Sequence, residues 1–470
     1  MTMYSLTFLG PHHFEVQNLL FPGDGVEHAA YILFGNADIP ADPWTGEPHQ
    51  KYVSHEVIPI PTDEIVSHGV GHITWKMDSF VRALKSAREK DMTLGVIHCH
   101  PEGYLGFSEQ DNRNETDWSQ LAHNRNGTGT RIISLVATSD GGIVGRVWES
   151  PVQKKNIDLI RVFGERFRMH YGDRGVDKVA EAFDRQALAF GAALNQDLSM
   201  LRIGIIGLGG TGSALNMLIG RLGPGFLALF DADTIEESNR NRVHGSKPED
   251  VTLGLHKVDI AERVIREMSL GTQVKKYPYW VDDRRCHVAL KSCDIIFGCT
   301  DDNDGRIVIN QVPFHYGIPL IDVGLAIELT KTKPTRMLAC DGRVTVVSPG
   351  EVCLICREII NVNIARDESM KRQLPEQYQK LKEEAYVTGE GNPAPAVAFF
   401  TTEVATMALQ ELVHRLQGFR GDEGSVSHVV RKFHLRTDRR PKGVSKDWCS
   451  VCAQTHSWGR ADDTRFLGLI

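Results

Sequence analysis

Two histidines stand two positions apart in His98-Cys99-His100-Pro101, with seven residues between His100 and Ser108 and two between Ser108 and Asp111. Two imidazoles and one carboxylate fill three corners of a tetrahedron around Zn²⁺. The fourth stays open for water, the layout of a catalytic rather than a structural zinc site. A zinc ion so held lowers the pKa of its water and polarises a carbonyl. Ser108 is placed to steady the developing oxyanion. Hydrolysis also needs a carboxylate that takes the water's proton and hands it to the leaving amine. Glu27, at the head of the apolar run that reaches Gly35, is the candidate.

The elements that must position these groups surround them. Leu94 to Ile97 is a buried strand that ends in His98, so both histidines leave it on one side and Cys99 packs on the other. Val26 to Gly35 is a second strand. Phe80, Val81, Leu84 and Ala87 recur at helical spacing within Met77 to Lys90. Phe107-Ser108 opens a further helix, with Ser108 near its N-cap. The upstream Glu, the His-x-His-Pro, the Ser and the Asp, at these spacings, resemble the JAMM (JAB/MPN) metallopeptidase family. The resemblance implies an α/β metallopeptidase domain over residues 1–150, which cleaves peptide or isopeptide bonds just after the C-terminal glycine of ubiquitin-like proteins.

A second chemistry starts at Ile203-Gly-Ile-Ile-Gly207-Leu-Gly209-Gly210-Thr-Gly212. The run Leu201 to Ile206 is a buried parallel strand, and Ala214, Leu215, Met217, Leu218 and Leu222 follow at helical spacing. Strand, glycine turn and helix make a phosphate-binding crossover, where bare backbone and a helix N-terminus receive phosphates. Phe226 to Phe230 is the next strand and ends in Asp231-Ala-Asp233, where an acid commonly holds a ribose hydroxyl. Polar and basic groups then cluster at Ser238, Asn239, Arg242 and Lys257, which suits a triphosphate better than the nicotinamide of a dehydrogenase. Another strand, Cys293 to Gly298, leads to Cys299-Thr300-Asp301, a carboxylate well placed to hold Mg²⁺.

This order resembles the ThiF/MoeB and ubiquitin-activating adenylation family. The resemblance implies a doubly wound, Rossmann-like domain over residues 200–470 in which the Gly207, Gly209, Gly210 and Gly212 turn cradles ATP. Asp231 and Asp233 then stand at the ribose, Asn239, Arg242 and Lys257 grip the phosphates, and Asp301 carries Mg²⁺. The reaction implied is attack of a C-terminal glycine carboxylate on the α-phosphate, giving acyl-adenylate and pyrophosphate. Phe183-Asp-Arg185-Gln186 resembles the family's Tyr-x-Arg-Gln segment, whose arginine reaches the ATP site of a homodimer partner. Cys353-Leu-Ile-Cys356 and Cys449-Ser-Val-Cys452 form a four-thiolate set, a closed structural zinc site. The family's crossover loop often bears a cysteine that accepts the acyl group, but Ala385-Tyr-Val-Thr-Gly389 has none. Cys286, Cys293, Cys299 and Cys340 lie in or beside predicted strands, Cys340 and Cys286 being the better thioester candidates.

Between the two domains, residues 151–199 read as helices, Val152 to Met169 and Val176 to Leu198, with a break at Tyr171 to Gly175. The 470 residues exceed the roughly 250–300 at which one core stops growing. A net charge of −7 points away from nucleic acid. The opening ten residues read as no signal peptide, and no run approaches the roughly 18 apolar residues of a membrane span. Nine cysteines that include two Cys-x-x-Cys pairs suit metal binding in the reducing cytoplasm. The combined expectation is one enzyme that trims or removes a ubiquitin-like protein and adenylates it, in the manner of bacterial modification systems, some of which serve phage defence. A separate conjugating enzyme that takes the acyl group is a further expected partner. Activation of a sulfur-carrier protein and a non-catalytic scaffold are the alternatives.

Overall fold

The computed structural model describes residues 2–101, 103–172, 179–383, 395–421 and 424–463. Two compact units divide the chain. The first comprises Met1–Gly175, Phe314–Gly317 and Gln454–Ile470, and the second Val176–Pro313 and Ile318–Ala453. The expected boundary at 150 therefore falls inside the first unit, and that unit also claims the C-terminal segment expected in the second domain. Ala385 to Gly389 lies outside the described residues. No described helix is long and apolar enough to cross a membrane.

The first unit is built on a nine-stranded sheet. Its strands are β1 (Met3–Leu9), β2 (Ala29–Ile39), β3 (His49–Pro59), β6 (Thr93–His100), β7 (Ile132–Thr138), β8 (Ile143–Ser150), β9 (Gln153–Asn156), β10 (Leu159–Phe163) and β11 (Phe167–Tyr171). The small ribbon of β4 (Ile65–Gly69) and β5 (His72–Trp75) stands apart from it. Across the sheet the order is β11-β10-β1-β3-β2-β6-β7-β8-β9. Helix α1 (Gly10–Leu20) covers one face, where Val16 and Leu20 pack with Ile97 and Cys99. Helices α2 (Met77–Glu89) and α3 (Glu109–Asn126) cover the other, where Phe80, Leu84 and Trp118 pack with Leu94 and Val96. All eight residues of β6 are buried.

The expected helix over 152–169 is corrected: β9, β10 and β11 occupy that stretch. Charge spacing mimics a helical period there, but β10 pairs parallel to β1 through Ser5↔Leu159 to Leu9↔Phe163. Ile157, Ile160 and Val162 fill the core that this pairing creates. The pairing also recruits Asp158, whose carboxylate accepts the Tyr4 N–H at 2.9 Å across 154 positions. Such a partner is invisible to local periodicity.

In the second unit, α4 (Asp184–Phe190) and α5 (Ala192–Met200) break at Gly191, which takes φ +84°. An eight-stranded sheet follows: β12 (Arg202–Ile206), β13 (Phe226–Phe230), β14 (Gln273–Tyr277), β15 (Ile295–Gly298), β16 (Leu320–Leu329), β17 (Met337–Val347), β18 (His428–Lys432) and β19 (Thr437–Arg439). The order β14-β13-β12-β15-β16-β17-β18-β19 is parallel through β16 and antiparallel beyond it. This is the mixed α/β, Rossmann-like fold expected, with its strand order reversing between β12 and β15, where such sheets open a crevice. The remaining helices are α6 (Gly210–Leu222), α7 (Pro248–Thr252), α8 (Lys257–Met268), α9 (Arg284–Ser292), α10 (Asn303–Tyr316), α11 (Val362–Gln373), α12 (Pro375–Glu383) and α13 (Ala398–Gln417).

The β12–α6 turn has no room for a side chain at Gly207 or Gly212. A Cβ on Gly212 would sit 1.8 Å from the Gly207 carbonyl oxygen, whereas one on Gly209 meets nothing within 4 Å. Gly212→Ala is therefore expected to lower the melting temperature, at a cost of roughly 1–3 kcal/mol or more. Gly209→Ala should leave it nearly unchanged. Thermal unfolding of the two variants side by side checks this.

Candidate functional site

Alternation along β6 sends Leu94, Val96, His98 and His100 to the α2–α3 face and Cys99 to the α1 face. Cys99 donates its thiol to the Leu20 carbonyl at 3.1 Å, in the core. His98 Nε2 lies 3.1 Å from His100 Nε2 and 3.3 Å from Asp111 Oδ1. A tetrahedron with roughly 2.0–2.1 Å metal–ligand bonds has edges of about 3.3–3.4 Å, so the three groups fit one zinc ion. His100 Nδ1–H donates to the Tyr104 carbonyl at 2.7 Å, which leaves Nε2 as the lone-pair nitrogen facing the cluster. Glu27 stands beside it, Oε1 3.9 Å from His100 Nε2, and is held by its own N–H bond to the Gly69 carbonyl at 2.8 Å.

Ser108 is the N-cap of α3 and forms a capping box with Asp111. Its Oγ accepts from the Asp111 N–H at 3.1 Å and donates to Asp111 Oδ2 at 2.8 Å, so the hydroxyl is engaged with the Asp111 carboxylate. Burial opposes the Asp111 charge, but His98 and the Ser108 donors outweigh it and hold the carboxyl below its usual range. Burial pushes the Glu27 carboxyl up to about 7, with His98 opposing and Asp111 assisting. Behind the ligands, Arg146 of β8 donates to Glu115 at 2.6 Å and to Asn112 at 2.8 Å, and lies 3.8 Å from the Phe107 ring centroid. These contacts fix the first turns of α3, and with them Asp111.

The second unit holds a cavity of about 640 Å³ at the β12–β15 switch point. Gly207, Gly209 and Gly210 line it from the turn, Asp231 and Asp233 from the end of β13, and Asp301 from the end of β15. Asn239, Arg242 and Lys257 line it as well. Gly212 packs against the turn instead. Asp231 accepts the Leu208 N–H at 2.6 Å, tying the end of β13 to the glycine turn, and burial raises its pKa. Lys257 Nζ pairs with Asp233 at 2.6 Å. Burial opposes the Lys257 charge, but Asp231 and Asp233 outweigh it and raise its pKa. Arg185 stands exposed on α4 and does not line this cavity.

Three further cavity groups escape sequence spacing: Trp280, Arg306 and Arg343. Only Arg343 had a signal, a cation directly before the run Val344-Thr-Val-Val347. Trp280 lies under the Arg372 guanidinium, 4.5 Å from its ring centroid, and Arg372 pairs with Asp304 at 2.6 Å. The same helix α11 supplies Glu368, whose carboxylate accepts the Asn303 and Asp304 N–H groups at 2.7 and 3.0 Å and so caps α10.

The four thiols of Cys353, Cys356, Cys449 and Cys452 converge, all buried, with Sγ–Sγ distances of 3.6, 3.6 and 3.7 Å. A ZnS₄ tetrahedron with bonds of about 2.3 Å has edges of about 3.8 Å, so the set fits a structural zinc ion. Cys286 is corrected to helix α9. It is buried, as are Cys293 and Cys340, and burial pushes the Cys286 thiol up to about 12 and that of Cys340 to about 11. Thiols so held are poor nucleophiles. Cobalt substitution is expected to give the thiolate charge-transfer absorption of a four-sulfur site, and Cys449→Ser should abolish it; an unchanged spectrum would contradict the assignment.

The ThiF family model matches residues 183–447. Ubiquitin-like modifier-activating enzyme 5 of Branchiostoma floridae is 29% identical over 185 residues, covering 36% of this chain and 42% of that protein. Adenylyltransferase and sulfurtransferase uba4 of Aspergillus fumigatus is 32% identical over 126 residues, 26% of this chain and 25% of that protein. The match thus spans less than half the length of these relatives. Among solved structures, E. coli MccB with MccA-N7isoASN is 16% identical, with a TM-score of 0.44, covering 59% of this chain and 76% of that one. With the glycine turn, the switch-point cavity and both Cys-x-x-Cys pairs inside or at the edge of a match longer than half its 470 residues, this chain belongs to the ThiF family.

Proposed function

We propose that the second unit adenylates the C-terminal glycine of a ubiquitin-like protein with ATP. The observation that carries the reading is the convergence of the glycine turn, Asp231, Arg242, Lys257 and Asp301 on one cavity. The names of the relatives support it, since both are activating or adenylating enzymes. Gly207, Gly209 and Gly210 leave N–H groups at the α6 N-terminus for the phosphates. Asp231 takes the ribose, with Asp233 beside it. Asn239, Arg242 and Lys257 grip the triphosphate, Lys257 exchanging its Asp233 partner for phosphate. Asp301 holds Mg²⁺, which neutralises phosphate charge. The incoming carboxylate oxygen bonds to the α-phosphorus, the bond to the bridging oxygen breaks, and pyrophosphate leaves. Cations fixed around phosphorus supply the stabilisation. Arg185, exposed on α4, serves the cavity of a second copy in a homodimer.

The first unit is proposed to be a JAMM-type zinc peptidase acting on the same protein, supported by the tetrahedral edges among His98, His100 and Asp111. Zinc held there supplies Lewis-acid activation of water and of the scissile carbonyl. Glu27 takes the proton and returns it to the leaving amine. Ser108 steadies the oxyanion by turning its hydroxyl from Asp111. Both activities belong in the cytoplasm, where the nine free cysteines stay reduced. The second reading is activation of a sulfur carrier, which the sulfurtransferase half of the uba4 name favours; a thiocarboxylate product would identify it. A separate conjugating enzyme completes the first scheme, and a scaffold without catalysis is the remaining rival.

Pyrophosphate exchange with ATP, Mg²⁺ and candidate carrier proteins tests the adenylation. Asp301→Asn and Lys257→Ala are each expected to lower the rate by about a hundredfold or more. A carrier-independent or unchanged rate counts against the assignment. Glu27→Gln should abolish cleavage of a carrier fusion while zinc content, read by metal analysis, stays at the parental level. His98→Ala should lose cleavage and one of the two zinc equivalents, the one held by the four cysteines remaining.

A further inference from the structure

A second cavity opens in the first unit, at the end of β6 away from the His98–His100 cluster. Thr93, which starts that strand, lines it, whereas the two histidines stand at the strand's other end. Its volume is about 600 Å³, within the roughly 300–1,000 Å³ of small-molecule sites. All of its lining residues belong to the first unit, and neither proposed activity uses them. Among the described residues only Ala87 and Met92 offer it apolar side chains, so a ligand there is held by charge and hydrogen bonds.

The polar groups of its wall are held in place. Gln50 of β3 is only 7% exposed, and its Oε1 accepts from Arg131 Nη1 at 3.4 Å. Its Nε2 makes no hydrogen bond among the described residues and is a donor offered to the cavity. Arg131 stands just before β7, its guanidinium 6.0 Å from the Tyr4 ring centroid, and pairs with no carboxylate among the described residues. Asn126 of α3 donates to the Leu84 carbonyl at 3.1 Å, which fixes the amide and leaves its Oδ1 as an acceptor. Thr93 donates to Asn36 Oδ1 at 2.8 Å and Asn36 donates to the Asp91 carbonyl at 3.3 Å, so the turn that carries Asp91 is fastened to the sheet. The Asp91 carboxylate itself makes no ion pair among the described residues. Around the whole cavity, Arg88 and Arg131 stand against Asp38, Asp91 and Asp462. An ion of a single sign would therefore meet like charge on the wall, whereas a ligand carrying both signs meets a partner for each.

We infer that this cavity binds a small zwitterion, a short peptide or a free amino acid, with its carboxylate on Arg131 and its ammonium group on Asp91. A planar guanidinium matches a carboxylate in charge and geometry. The Gln50 donor and the Asn126 acceptor complement the C=O and N–H of a peptide group. The inference stands apart from both proposed activities, since no residue of either site lines this cavity.

Calorimetric titration of the full chain with glycine and triglycine, each free, N-acetylated and as the C-terminal amide, tests this. The free form should bind about tenfold more tightly than either blocked form, the size expected of one charge-assisted pair. Arg131→Gln should erase the penalty of the amide and keep that of the acetyl group, and Asp91→Asn should do the reverse. Both side chains are exposed, so neither variant threatens the fold. Tighter binding of triglycine than of glycine supports the assignment with short peptides as the ligand, and equal binding supports it with free amino acids. Absence of binding by both, equal binding of free and blocked forms, or penalties unchanged in the two variants overturns it.

Discussion

Backbone packed directly on backbone is the constraint from which the second unit's chemistry follows. Gly207 sits at φ +87°, and a Cβ on it would lie 2.8 Å from both the Cys299 carbonyl carbon and the Thr300 nitrogen. Glycine at Gly207 and Gly212 thus lets the end of β15 close against the β12–α6 turn. Only that approach brings the Asp301 carboxylate and the α6 N-terminus into one cavity. Side chains at either position would wedge the two strand ends apart and separate the Asp301 carboxylate from the glycine turn.

In the first unit the organising device is the two-residue period of a strand. Because β6 is buried on both faces, its alternation gives one face to apolar packing through Ile97 and Cys99 and the other to His98 and His100. The third member of the cluster comes from a helix start, where Asp111 closes a capping box on Ser108. The cap serves structure and chemistry together: it satisfies helix N–H groups and aims a carboxylate. The Arg146–Glu115 pair then ties that helix to β8, so side chains from two elements hold one geometry.

Much of this was legible in the sequence because the signals were local. The glycine turn, the strand before it and the helix after it stand side by side in the chain, and Phe226–Phe230 is the strand its apolar run indicated. The His, Ser and Asp set needed only a strand end and a helix start, both readable within a dozen residues. What stayed hidden depends on partners far away. Residues 152–171 are strands only because β1 offers an edge, and Cys286 is helical although it stands close to a strand. Trp280, Arg306 and Arg343 belong to different elements that meet only when the sheet forms. No spacing rule links Asp322 to both arginines, which pair with it, since the pairing crosses a hairpin and a helix.

The carboxylate of Glu368 on the N-terminus of α10 has a mechanical consequence. It joins the helix that starts immediately after Asp301 to a helix some sixty-five positions later, and Arg372 from the same helix reaches Asp304 and the Trp280 ring. The first Cys-x-x-Cys loop is tied in too, through the Leu354 N–H bond to Asn310 of α10 at 2.8 Å. The first Cys-x-x-Cys loop and α11 are therefore both fastened to α10, so neither can shift against that helix without breaking one of these short polar bonds.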